Sequence, residues 1–72
     1  LRAEEPDVTL VERIALRDAI DALPEKERKT ILLRFFKGLT QEQTARILQV
    51  SQVQVSRLER RSLQKLRELL AE

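Results

Sequence analysis

Apolar positions recur at helical spacing in four blocks along this chain, and short punctuated stretches separate them. In the first block Leu10, Ile14, Leu16, Ala19, Ile20 and Leu23 fall on the period of a helix with one apolar side. Asp7 or Thr9 can cap its start by accepting a bond from a free backbone N–H. Pro24 ends it and suits the first turn of the next helix, where its missing N–H would have no partner anyway. The second block runs from Glu25 to Lys37 and holds Ile31, Leu32, Leu33, Phe35 and Phe36. Apolar nearly all round, it predicts a central helix touched on several sides. Lys37 followed by Gly38 is a helix stop.

The third and fourth blocks each open on a capping box. Thr40-Gln41-Glu42-Gln43 places a hydroxyl three residues before an amide that can reach back, and Ser51-Gln52-Val53-Gln54 repeats the arrangement. The first box predicts a short helix from Gln41 to Leu48, with Ala45 and Leu48 inward. The second predicts a long helix to about Leu70, with an apolar stripe of Val55, Leu58, Leu63, Leu66, Leu69 and Leu70. Its other side carries Val53, Arg57, Arg60 and Gln64, flanked by Ser56 and Arg61. No strand pattern or internal repeat interrupts this, so the fold class is all-α: a four-helix domain ending in a long helix.

Composition narrows the function. The chain has 72 residues, no cysteine and no histidine. Disulfides and the usual metal sites are therefore excluded, no cofactor is expected, and helix packing must carry a marginal stability. Without histidine, cysteine or a glycine-rich phosphate loop, no catalytic residue stands out, and the carboxylates sit at salt-bridge spacing. No apolar run approaches the roughly 20 residues that span a bilayer, and no signal peptide is visible, so a cytoplasmic location is expected. A chain beginning at Leu1 is expected to be a piece of a longer protein. Net charge is only +2, but residues 1–23 carry three basic and six acidic side chains, whereas residues 24–50 carry six and three and residues 51–72 five and three. A basic C-terminal portion behind an acidic N-terminal one is a footprint of nucleic-acid binding; ordinary solvated helix faces would give a similar count.

Two capped helices joined by a tight turn form a helix-turn-helix. Ala45 is small enough for the helix crossing, and Leu48, Val50, Val55 and Leu58 fill the angle between the helices. The second helix then enters a major groove with its first residues at base edges. Gln52 and Gln54 both donate and accept, Arg57 can bond a guanine bidentately, and Val53 can touch a thymine methyl.

The run Arg34-Phe35-Phe36-Lys37-Gly38-Leu39-Thr40-Gln41, then Ala45, then Val50-Ser51-Gln52-Val53-Gln54-Val55-Ser56-Arg57-Leu58-Glu59 resembles region 4 of sigma-70-family transcription initiation factors. Leu23-Pro24-Glu25-Lys26-Glu27-Arg28 resembles the opening of that region, so the likeness covers roughly residues 13–70. The Ser51–Glu59 run is most similar to those of the sporulation and general-stress sigma factors of Gram-positive, spore-forming bacteria. The resemblance implies a linker over 1–7 and a region 4 domain over 8–72. It implies recognition of the promoter −35 element and docking on the β-flap of RNA polymerase, with an anti-sigma protein as a further partner. By position it implies base reading by Gln52, Val53, Ser56 and Arg57, and phosphate contacts by Arg34, Thr40, Gln41, Arg60 and Arg61. It also implies a flap or anti-sigma groove lined by Leu16, Ile20, Leu33 and Phe36, residues that would equally serve as plain core.

Two positions depart from the family pattern. Gln49 stands where the turn usually has glycine, and a positive φ there would cost about 1 kcal/mol. Thr44 stands where an apolar β-branched residue is usual, and its hydroxyl is expected to bond the carbonyl one turn back. Two other readings remain open at this point: a response-regulator-type DNA-binding domain, and a helical protein-interaction module. Salt-dependent binding to promoter DNA separates the last from the rest.

Overall fold

The structure is a computed structural model that describes residues 10–71. The expected linker and the cap at Asp7 or Thr9 lie outside the described residues. Within them the chain forms α1 (Leu10–Asp21), α2 (Glu25–Ile31), α3 (Gln41–Leu48) and α4 (Gln52–Leu70), with a π-helical turn over Leu32–Phe36 continuing α2. The long α4 packs against each of the other three helices, so it is the spine of the domain.

Short-range chemistry sets the element ends. Thr40 Oγ1 accepts from Gln43 N at 3.0 Å while Gln43 Oε1 accepts from Thr40 N at 2.9 Å. Ser51 and Gln54 repeat the exchange at 3.1 Å in both directions. Each box satisfies two backbone donors that a bare helix start would leave unpaired. After α3, Gln49 takes φ 59° and ψ 45°, Val50 N donates to Ala45 O and Gln49 N to Arg46 O. This is a Schellman stop, and the left-handed residue in it is the non-glycine that the sequence marks. Gly38 plays the same part after α2, with φ 73°.

The core joins Ala19, Ile20 and Leu23 of α1 and its exit to Ile31 of α2 and Leu66 of α4, with Leu16 at the edge. A second buried patch, Thr44 and Ala45 of α3 with Val55 of α4, holds the helix-turn-helix together. Several expectations about burial need correction. Leu10 and Ile14 are exposed, because no other helix among the described residues covers the start of α1. Phe35 and Phe36 are 51% and 62% exposed, so the second block is not touched on all sides. On α4, Leu63, Leu69 and Leu70 are at least partly in solvent, and the stripe is centred instead on Val55, Ser62 and Leu66. Ser62 lies about 40° from both Leu58 and Leu66 around the helix, at the middle of the buried face. Its hydroxyl bonds the carbonyl of Leu58 and lies 3.4 Å from that of Glu27. The Thr44 hydroxyl does not bond the carbonyl one turn back. It is fully buried and has no partner among the described residues.

Candidate nucleic-acid interface

The first two turns of α4 stand clear of the fold. Gln52, Val53, Gln54 and Arg57 are exposed, and Val53 keeps 60% of its surface in solvent. Beneath them Val55 is fully buried, so the helix is anchored on one side and open on the other. Ser56 is half-buried at the margin of the open side. Gln54 lends its Oε1 to the Ser51 cap, which holds the helix start rigid and commits half of that amide. The structure thus brings Gln52, Val53 and Arg57 together in the open, with Ser56 beside them. Arg60 and Arg61 follow one turn on, both exposed.

Arg34 and Gln41 sit less openly than the sequence suggests. Glu59 Oε1 accepts from Arg34 Nε at 2.8 Å and from Gln41 Nε2 at 3.1 Å. Arg34 Nη1 also donates to the carbonyl of Leu39. One carboxylate on α4 therefore ties down the end of the π-turn and the start of α3. Burial pushes against the charged form of Glu59, but the bonds from Arg34 and Gln41 and the arginine charge outweigh it, and its carboxyl stays below the usual range. Thr40 stays exposed at the α3 N-terminus.

A second carboxylate was missed by pattern reading. The Glu27 side chain is 5% exposed, and Lys65 Nζ straddles it, 3.1 Å from Oε1 and 3.2 Å from Oε2, with Arg61 Nη1 at 3.9 Å. Glu27 thus clamps α2 to the middle of α4. Spacing within one helix carries no signal for such a long-range pair.

Of the four residues expected to line a groove among the first helices, Leu16, Ile20 and Phe36 come together. A concavity of about 440 Å³ is walled by Leu16, Ile20, Leu32 and Phe36, with Arg13, Arg17 and Asp21 at its rim. Leu32 takes the place expected of Leu33, which is half-buried elsewhere. Leu32 keeps α-helical dihedrals, φ −63° and ψ −43°, and stands four residues before Phe36, so the two stack on one side of the helix. Among the described residues no group of His, Cys, Asp or Glu could hold a metal, and no helix is long and apolar enough to cross a membrane.

Residues 19–68 match the family described as Sigma-70, region 4. The chain is 40% identical over 65 residues to the RNA polymerase sigma-F factor of Priestia megaterium, covering 90% of this chain and 26% of that protein. It is 48% identical over 58 residues to the RNA polymerase sigma factor SigF of Mycobacterium tuberculosis, covering 81% and 22%. With the RNA polymerase sigma-B factor of Bacillus subtilis it shares 36% over 61 residues, covering 85% and 23%. The chain therefore spans about a quarter of the length of these relatives. No solved structure matches. Fold, capped turn and sequence agree: this chain belongs to the sigma-70 family, as a region 4 domain near the sporulation-type sigma factors.

Proposed function

We propose that this domain recognises the −35 element of promoters, as part of a sigma factor that directs RNA polymerase to its start sites. The observation that carries the reading is the open face of α4: Gln52, Val53 and Arg57 project from a helix whose start is fixed by a capping box and whose back is buried. Such a helix fits a major groove with its first turns at base edges. Arg57 supplies a bidentate donor for guanine, Val53 an apolar contact for a thymine methyl, and Gln52 and Ser56 adaptable hydrogen bonds. Thr40 and Gln41 at the start of α3, and Arg60 and Arg61 on α4, take phosphates on either side. Arg34, braced on Glu59, offers its remaining N–H groups to the same backbone. The groove of Leu16, Ile20, Leu32 and Phe36 suits an apolar segment of the polymerase β-flap, and an anti-sigma protein would compete there. Residues 1–7 would link this domain to the preceding sigma region, and the whole would act in the cytoplasm.

The test uses a duplex selected by the chain from a randomised pool, and a copy with its guanines replaced. Arg57→Ala should lose about 1–3 kcal/mol on the selected duplex and far less on the replaced one. Equal losses on both would remove Arg57 from base reading. Run-off transcription with core polymerase and the full-length parent protein tests the wider role.

A further inference from the structure

Glu59 puts an acidic group on the helix that would lie in a DNA groove. Along α4 it follows Gln52 and Ser56 at steps of four and three residues, so it continues one edge of the open face. Its bond from Gln41 shows that this edge is the one beside the start of α3. The carboxyl titrates below its ordinary value of 4.5 and is ionised at neutral pH. A fixed negative charge on that edge repels a polyanion. Glu42, in the first turn of α3, has no comparable tie: its printed partner is Arg46 on the same helix, at 3.8 Å.

What the carboxylate supplies is orientation. Arg34 is held three ways: Nε donates to Glu59 Oε1 at 2.8 Å, Nη1 donates to the carbonyl of Leu39, and the guanidinium carbon stands 5.5 Å from the centre of the Phe35 ring. A guanidinium has five N–H donors, so about three are left over. The Arg34 side chain is 24% exposed and that of Glu59 16%, so the cation is the more open member of the pair. A flexible surface arginine loses its rotamer freedom when it meets a phosphate. Arg34 has already lost most of it on folding. The same Glu59 oxygen accepts from Gln41 Nε2 at 3.1 Å, which fixes the direction of that amide as well.

We infer that Glu59 is a positioning residue for DNA binding: it presets the Arg34 guanidinium toward a backbone phosphate beside the edge of α4 that carries Gln52 and Ser56. Its own charge opposes the DNA, and the orientation it imposes on Arg34 outweighs that repulsion. Removing the carboxylate therefore weakens binding, although it removes a negative charge from the interface. This rests on the groove-reading role of α4 proposed above.

The experiment measures binding to the selected duplex by fluorescence anisotropy for the parent chain, Glu59→Gln, Arg34→Gln, the double variant and Glu42→Gln. Circular dichroism melts set a temperature at which every variant is folded. At about 0.1 M salt, Glu59→Gln should bind up to about 8-fold more weakly, the effect of one lost phosphate contact, with a salt slope shallower by up to about 0.9. The loss should be the same on the guanine-replaced duplex, since base reading by Arg57 is untouched. Once Arg34 is glutamine, the same change at Glu59 should be neutral or should tighten binding. A merely structural role gives no such reversal of sign. Glu42→Gln, which removes a carboxylate that positions nothing, should be neutral or tighten binding in the parent background. Glu59→Gln binding as tightly as the parent, or weakening binding equally with and without Arg34, would overturn the inference. So would an Arg34→Gln chain that binds like the parent. In each case the Arg57→Ala comparison still decides the groove reading by itself, so the two can fail separately.

Discussion

Thr44 and Thr30 make a controlled pair for testing the energetics of this core. Both are fully buried. The Thr30 hydroxyl donates to the carbonyl of Lys26 at 2.8 Å. The Thr44 hydroxyl has no partner among the described residues, although its backbone N–H bonds Thr40 O at 2.9 Å. Valine keeps the shape and nearly the helix propensity of threonine, so the hydroxyl is the main change. Burying a hydroxyl without a bond costs about 1–3 kcal/mol, and the methyl that replaces it adds about 0.8 kcal/mol of burial. Some of this is lost to imperfect fit in a tight site. Thr44→Val should therefore stabilise the domain by about 1–2 kcal/mol. At about 4–8 °C per kcal/mol for a domain of this size, Tm should rise by roughly 5–15 °C. Thr30→Val removes a made bond and should be neutral or destabilising by up to about 1 kcal/mol. Thermal melts by circular dichroism, with urea titration for the free energies, read both. A Thr44→Val protein melting at or below the parent, or a Thr30→Val protein rising as far as Thr44→Val, would refute the reasoning.

Gln49→Gly should stabilise by about 0.5–1 kcal/mol in urea titrations, since relief of a left-handed side chain outweighs the added freedom of glycine in the unfolded chain. Glu27→Ala should destabilise by about 1–3 kcal/mol; the loss stays moderate because Lys65 and Arg61 are open enough to regain water. Acid should weaken the domain through Glu59. Its folded carboxyl titrates below the ordinary value of 4.5, so its stabilisation is complete above that pH and disappears as pH falls through the lower folded value. In a Tm-against-pH series, the gap between the parent and Glu59→Gln should accordingly be widest near neutrality and shrink as pH falls below 4.5; a gap that stays constant would deny the carboxylate this role.

The sequence by itself determined the parts of this domain that depend on near neighbours. Both capping boxes, the bounds of α3, the start of α4, the glycine stop at Gly38 and the left-handed Gln49 are interactions within about five residues, so local order suffices to read them. The exposed face of α4 follows from the same logic, because helical phase fixes which residues oppose Val55. Burial was another matter. Phase gives a stripe, but only the neighbouring helices decide how much of it is covered. Leu10, Ile14, Leu69 and Leu70 stay exposed among the described residues, whereas polar Ser62 is fully buried, 3.4 Å from the carbonyl of Glu27 on α2. In the apolar groove Leu32, four residues before Phe36, stands where Leu33 was expected, because the packing of α1 selects which side of the second helix it covers. Long-range polar features such as Glu27 beneath Lys65, Glu59 beneath Arg34 and Gln41, and Lys26 across from Arg61 each join residues far apart in the chain. They exist because α4 runs alongside every other helix, and only the tertiary packing could bring those charges together.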